Sequence, residues 1–158
     1  MIIYKESSLY DLPQISNLYN QMAYELRKTT NDPYFNFDIL SDNLVLERLQ
    51  KIVLEDNIKI FVAKYEENII GFISGIITNC FLPISKVDKI GYIEAAYTMK
   101  RFRKNGVMTK LEEKLIEYFR DCGLKYVELS VLSNNSQAKH FWNKSNYVTF
   151  REKLRKQL

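Results

Sequence analysis

"KIGYIEAAYTMKRFRKNGVMTKLEEKLIEYFRDCGLKYVELSVL", residues 89–132, decides how this chain folds. Its opening, 89–99, is rich in β-branched and aromatic residues and reads as a strand. From Gly106 to Gly123 the period changes. Val107, Leu111, Leu115, Tyr118 or Phe119, and Cys122 recur at helical spacing, and Gly123 can end the helix. "YVELSVL" (126–132) is a strand again. A helical crossover of that length makes the two strands parallel neighbours, with a right-handed connection.

The join between strand and helix is "KRFRKNGVMTK" (100–110). It carries Lys100, Arg101, Arg103, Lys104 and Lys110 and no acid; the first acid of the helix is Glu112. A helix N-terminus is itself partly positive, so acids are the usual choice there. Cations gathered at that end repel one another unless an anion joins them. A phosphate or pyrophosphate would satisfy both the free N–H groups and the charge, and Gly106 lets a ligand come close to the backbone. Ligands of open α/β sheets also collect beyond the carboxyl ends of strands, here after Thr98 and Met99. On charge alone, a solvated basic loop explains the run equally well.

Working outward, "IIYKES" (2–7) is a first strand and 11–28 a helix with Pro13 in its first turn. Ile15, Leu18, Tyr19, Met22 and Leu26 fall on one face of that helix. The turn-rich stretch 29–38 is a loop, and Ser41 can cap a second helix whose apolar positions are Leu44, Leu46, Leu49 and Val53. Residues 58–78 form two β-rich runs around Glu66-Glu67-Asn68, a hairpin signal. Residues 79–88 are a loop, 135–145 a short helix and 147–154 a last strand. The class is α/β with a mixed, mostly antiparallel sheet, a central parallel pair and helices on both faces.

With 158 residues, 46% of them hydrophobic, the chain can bury the core of one ordinary domain, and 1–158 reads as that domain. A net charge of +4 is too small by itself to argue for nucleic acid. One histidine and two cysteines, Cys80 and Cys122, in no ligand-like spacing argue against a metal. They read as reduced thiols, which makes a cytoplasmic location the expectation. The start "MIIYKESSLYD" does not read as a signal peptide, and the longest apolar run, 69–77, is too short to span a bilayer.

Two motifs now carry a resemblance. "RKNGVM" (103–108) resembles the Gln/Arg-x-x-Gly-x-Gly/Ala loop of the GNAT superfamily of acetyl-CoA-dependent N-acetyltransferases. Arg103 and Gly106 match; Met108 stands where Gly or Ala is usual. "NNSQAKHFWNKSNYV" (134–148) resembles the family's Asn-x-x-Ala, aromatic pair and Gly-Phe, through Asn135, Ala138 and Phe141-Trp142, with Asn146-Tyr147 replacing Gly-Phe. The order of elements fits over residues 2–155.

The resemblance implies that acetyl-CoA is the co-substrate, without a metal. Its pyrophosphate would lie on the backbone of Arg103, Lys104, Asn105, Gly106, Val107, Met108 and Thr109. The pantetheine arm would pair with Ala96, Tyr97 and Thr98 at an open strand edge. Asn135, Ala138 and Trp142 would line it from the other side; Lys139 or Lys144 either reaches the 3′-phosphate or, the preferred reading, is a solvated surface lysine. Glu94 is the implied general base or substrate anchor; by itself it also reads as an ordinary charged residue at a sheet surface. The family's usual tyrosine acid is replaced by Trp142, whose indole is not a practical proton source, leaving Tyr97 and Tyr147 as alternatives. His140 reads as an ordinary helix residue. Alternation along 92–99 would put Glu94, Ala96 and Thr98 on one face and Tyr97 on the other. The acceptor, a small-molecule or peptide amine, would lie against 29–38 and 79–88. Tyr34, Phe35 and Phe37 either line its pocket or pack under the loop, and Asp32 and Asp38 can attract a cation.

A CoA-binding module without catalysis is the alternative reading. A nucleic-acid-binding module fits less well, because aromatics do not interleave with the basic residues. Homodimerisation through the final strand is left open.

Overall fold

The short turn at Glu66-Glu67 and the long crossover at 99–126 together dictate the strand pairing. The computed structural model describes residues 1–30, 32–38, 41–54 and 58–158. Strands β1 (Ile2–Glu6), β2 (Ile58–Tyr65), β3 (Asn68–Asn79), β4 (Lys89–Thr98) and β5 (Val127–Leu129) lie side by side in that order. Neighbours are antiparallel as far as β4, and β4 pairs with β5 in parallel. The β2–β3 turn closes on two residues, with Glu66 at a left-handed φ of 54°.

Each face of the sheet has its own core. Helices α1 (Leu12–Thr29) and α2 (Asp42–Leu54) bring Leu12, Ile15, Leu18 and Leu49 onto Ile60, Val62, Phe72, Ala95 and Tyr97. Helices α3 (Val107–Asp121) and α4 (Ser136–Lys144) bring Val107, Leu111, Leu115, Phe119 and Trp142 onto Phe61, Ala63, Ile73 and Ile93. The Ser41 hydroxyl accepts the Leu44 N–H at 3.2 Å, which caps α2 as expected. Val45, and not the exposed Leu44, packs inward on that helix. Cys122 is exposed. Asn31, within the expected loop 29–38, lies outside the described residues.

Three expectations are corrected. The strand expected over 126–132 is only Val127–Leu129. The strand expected over 147–154 does not form: 147–158 has no helix or strand and is almost wholly exposed. So short a β5 offers little ladder to extend, and Phe150 and Arg151 pack on Phe81 instead. With no strand beyond β5, the parallel pair ends the sheet among the described residues.

The third correction concerns β4. Ser74 pairs with Ala95 but Gly75 pairs with Ile93, so Glu94 is the extra residue of a β-bulge. Ile93 and Ala96 accordingly pack on the α3 side, while Ala95 and Tyr97 pack on the α1 side. Simple alternation fails at this point. Glu94 follows Ile93 onto the opposite face and is out of phase with Ala96 and Thr98.

Close packing of α3 on the sheet depends on Gly91, where an added Cβ would sit 2.6 Å from the buried Phe119 ring. Gly91→Ala should therefore destabilise the fold by about 1–3 kcal/mol. That exceeds the ~0.5–1 kcal/mol that alanine returns through backbone entropy. Denaturant midpoints check this, and Phe119→Leu in the same chain should cost less than its effect on the native background. An unmoved midpoint in Gly91→Ala would contradict the contact.

Candidate active site

The site begins where the parallel pair stops. β4 and β5 pair only through Gly91–Val127, Tyr92–Glu128 and Ile93–Leu129. From Glu94 to Thr98, β4 has no strand on that side among the described residues. Apart from the Thr98 carbonyl, which accepts from Arg103, its peptide groups on that side form an open edge able to take a ligand amide. The Asn135 carboxamide oxygen accepts the Ala138 N–H at 3.0 Å and so caps α4. Its NH₂ remains free to donate.

The basic run follows the open edge. Lys100–Phe102 form one 3₁₀ turn, and Lys104 and Gly106 take left-handed φ values of 65° and 74°. The chain thereby doubles back and starts α3 at Val107 with no side-chain cap and no acid in its first turn. Uncapped amides at a positive helix end are an anion-binding arrangement. Space around Gly106 is open, since a Cβ there would meet nothing within 4 Å. This is the test of fit for a pyrophosphate, and the residues present meet it. Met108 packs its side chain against the α3-side core, which leaves its backbone to face the loop.

Not all the positive charge is free for a ligand. Arg103 donates from Nη2 to Glu25 of α1 at 2.7 Å and from Nε to the Thr98 carbonyl at 2.8 Å. The Tyr97 hydroxyl donates to the other Glu25 oxygen at 2.6 Å, and the Arg103 guanidinium lies 5.3 Å from the Tyr97 ring centroid. Lys110 pairs with Glu113 at 2.7 Å. Lys104 makes no ion pair among the described residues. Glu25 was not singled out in the sequence. The available signal was its place seven residues after the buried Leu18, an acid on the apolar stripe of α1.

These contacts set the titration of the network. Burial pushes the Glu25 carboxyl up, but the hydrogen bonds from Tyr97 and Arg103 outweigh it and hold the group below its ordinary value. Burial first, and Glu25 second, push the Tyr97 phenol up to about 12. Glu94 is exposed in the bulge, and partial desolvation raises its carboxyl above the ordinary range.

The structure separates the two tyrosine candidates. Tyr97 belongs to the α1-side core, whereas Tyr147 packs on the α3 side, edge-on to Trp142 at 5.2 Å. The buried Tyr147 hydroxyl faces Glu112 of α3 without closing a hydrogen bond of normal geometry. Burial pushes both groups up, and the carboxylate raises the phenol further. Trp142 is itself 8% exposed and locked between Phe141 and Tyr147.

On the α1 side, the described part of 29–38 turns through Pro33–Phe35. Tyr34 is exposed, Phe35 is half-buried, and Phe37 packs on Tyr24 with the Arg27 guanidinium 5.4 Å from its ring. The bulge turns Glu94 towards this same side of the sheet.

Known proteins agree with this architecture. The model of the acetyltransferase (GNAT) family matches residues 12–147. A protein of Archaeoglobus fulgidus described as an uncharacterized N-acetyltransferase is 31% identical over 91 residues. That match covers 58% of this chain and spans 60% of the relative's length. Aminoglycoside N-acetyltransferase AAC(6′)-Iy, solved with CoA, superposes with a TM-score of 0.80 at 13% identity, covering 100% of this chain and 95% of its own. A predicted acetyltransferase from Clostridium acetobutylicum, solved with acetyl-CoA, gives 0.76 at 16% identity, covering 99% and 96%. At such identities these two likenesses establish the fold.

Glu25→Ala should lower stability at neutral pH by about 1–2 kcal/mol, because it leaves Arg103 Nη2 and the Tyr97 hydroxyl without their acceptor in a half-exposed setting. The folded carboxyl titrates below its unfolded value of 4.5, so its contribution is complete above that pH. It is lost as pH falls through the folded value. Thermal midpoints from pH 7 to pH 3 should therefore converge for the two proteins at the acid end. A constant gap would contradict the assignment.

Proposed function

The chain belongs to the acetyltransferase (GNAT) family, and on that premise we propose that it moves acetyl from acetyl-CoA directly to a primary amine. The observation that carries the proposal is the open β4 edge running into an uncapped, basic helix start. An extended amide-bearing arm can pair with Ala96–Thr98, while a pyrophosphate takes backbone N–H groups from Lys104 to Thr109; the Arg103 N–H, expected among them, is instead closed onto the Lys100 carbonyl at 3.2 Å. Asn135, Ala138 and Trp142 bound the arm from α4. Acetyl-CoA, when bound, supplies an activated thioester.

Glu94 is the proposed general base. An incoming ammonium must lose a proton before its nitrogen can attack, and a carboxylate raised by desolvation accepts that proton more readily near neutral pH. Its position on the α1 side of the sheet supports this role, because the proposed acceptor segment 32–38 packs on α1 through Phe37 and Tyr24. Tyr34, Phe35 and Phe37 are proposed to face the acceptor. Of the tyrosines proposed as acid, Tyr97 already donates to Glu25 and the Tyr147 hydroxyl is buried. That engagement favours a second reading, a CoA-binding module without turnover.

Acetyl-CoA should raise the melting temperature as its concentration passes Kd, and thiol release over an amine panel then divides the two readings. Glu94→Gln should keep the acetyl-CoA shift and lose turnover, most between the raised Glu94 value and the pH at which the amine is already free. The wild-type rate should fall as pH drops through the raised Glu94 value, a limb absent from the variant. Equal rates and equal pH profiles would remove Glu94 as base.

A further inference from the structure

The segment 147–158 has no regular structure, yet it is anchored at two loops. Phe150 packs at a tilt on Phe81 with ring centroids 6.0 Å apart, and the Arg151 guanidinium lies 4.6 Å from the same ring. Four residues on, Arg155 grips Asp32 with both arms of its guanidinium, Nη1 to Oδ1 at 2.9 Å and Nη2 to Oδ2. The guanidinium also lies 4.4 Å from the centroid of the Tyr34 ring. The tail thus crosses from the β3–β4 loop to the α1–α2 loop, the two segments proposed above to meet the acceptor.

The Asp32–Tyr34 pair has the chemistry of a cation site. A carboxylate in fork geometry beneath an exposed aromatic face recognises a guanidinium or an ammonium group. It is also preorganised. Asp32 Oδ1 accepts the Tyr34 N–H at 2.9 Å, and Pro33 stiffens the turn between them. The bond from Arg155, first of all, holds the Asp32 carboxyl below its ordinary value, so the site is anionic at neutral pH. The occupant is held weakly, because the Arg155 side chain is 45% exposed and that of Asp32 25%.

We propose that Asp32 and Tyr34 form a subsite for a second cationic group of the acceptor, and that Arg155 occupies it as a tethered competitor until the acceptor displaces it. The inference rests on the acetyl-transfer reading and narrows the acceptor class. It favours amines that carry a guanidinium or a further ammonium in addition to the reacting nitrogen. A monoamine has nothing to offer this subsite.

Calorimetric titration of the full chain, saturated with CoA, tests the proposal with two probes. Agmatine carries a primary amine and a guanidinium; n-butylamine carries only the amine. Arg155→Gln should bind agmatine roughly two- to tenfold more tightly than the wild type, the range expected for losing one exposed pair with a ring contact. Adding Asp32→Asn should remove the gain, and n-butylamine should not distinguish wild type from Arg155→Gln. Equal agmatine affinity in wild type and Arg155→Gln would overturn the proposal. So would a gain that survives Asp32→Asn, a matching gain for n-butylamine, or no saturable agmatine binding to Arg155→Gln. A separate acetyl-CoA titration of the wild type distinguishes the wider failure. If the coenzyme binds and agmatine gives a negative result, this subsite alone is refuted; if the coenzyme does not bind, the acetyl-transfer reading falls with it.

Discussion

A parallel strand pair held by three residues leaves half a strand without its partner, and everything of interest in this fold answers to that. Beyond Ile93 and Leu129 the ladder between β4 and β5 stops, yet β4 runs on to Thr98 as an interior strand on its β3 side. Peptide groups on an open edge are costly if buried and inviting if reachable. Among the described residues no other strand closes the gap, because 147–158 leaves the sheet and packs on the β3–β4 and α1–α2 loops.

The basic run that follows has two duties which charge counting cannot separate. Arg103 is structural. With Glu25 and Tyr97 it ties the start of the loop to α1, so that the turn through Lys104 and Gly106 presents the α3 amides in a fixed place. Lys104, in contrast, stands outside those ion pairs. A helix start with a fixed position, no cap and nearby positive charge is the physical content behind the motif. At its third position the Met108 side chain packs inward, against the α3-side core.

Much of this was legible in the sequence. The β-α-β unit follows from a period change at Gly106, the hairpin from two β-rich runs around a two-residue turn, and the loop motif from residues close together in the chain. What escaped has a common cause: it depends on partners distant in sequence. The bulge at Glu94 carries no glycine or proline to announce it and arises from how β4 registers against β3. That single extra residue reverses which face Glu94 shares, and turns it from the side of Ala96 to the side of the α1–α2 loop. The Glu25–Arg103 bond joins residues 78 apart, visible beforehand only as one acid on an apolar stripe. The expected last strand failed because strand propensity at 147–150 had no ladder to join.

The central claim is that the open β4 edge and the α3 start form one continuous coenzyme cradle. Amide spectra of the full chain, titrated with CoA and with pantetheine, which lacks the pyrophosphate, test it most directly. Both ligands should shift Ala96, Tyr97 and Thr98, and only CoA should shift Gly106, Val107, Met108 and Thr109. Loop amides unmoved at saturating CoA, or moved equally by pantetheine, would contradict the account.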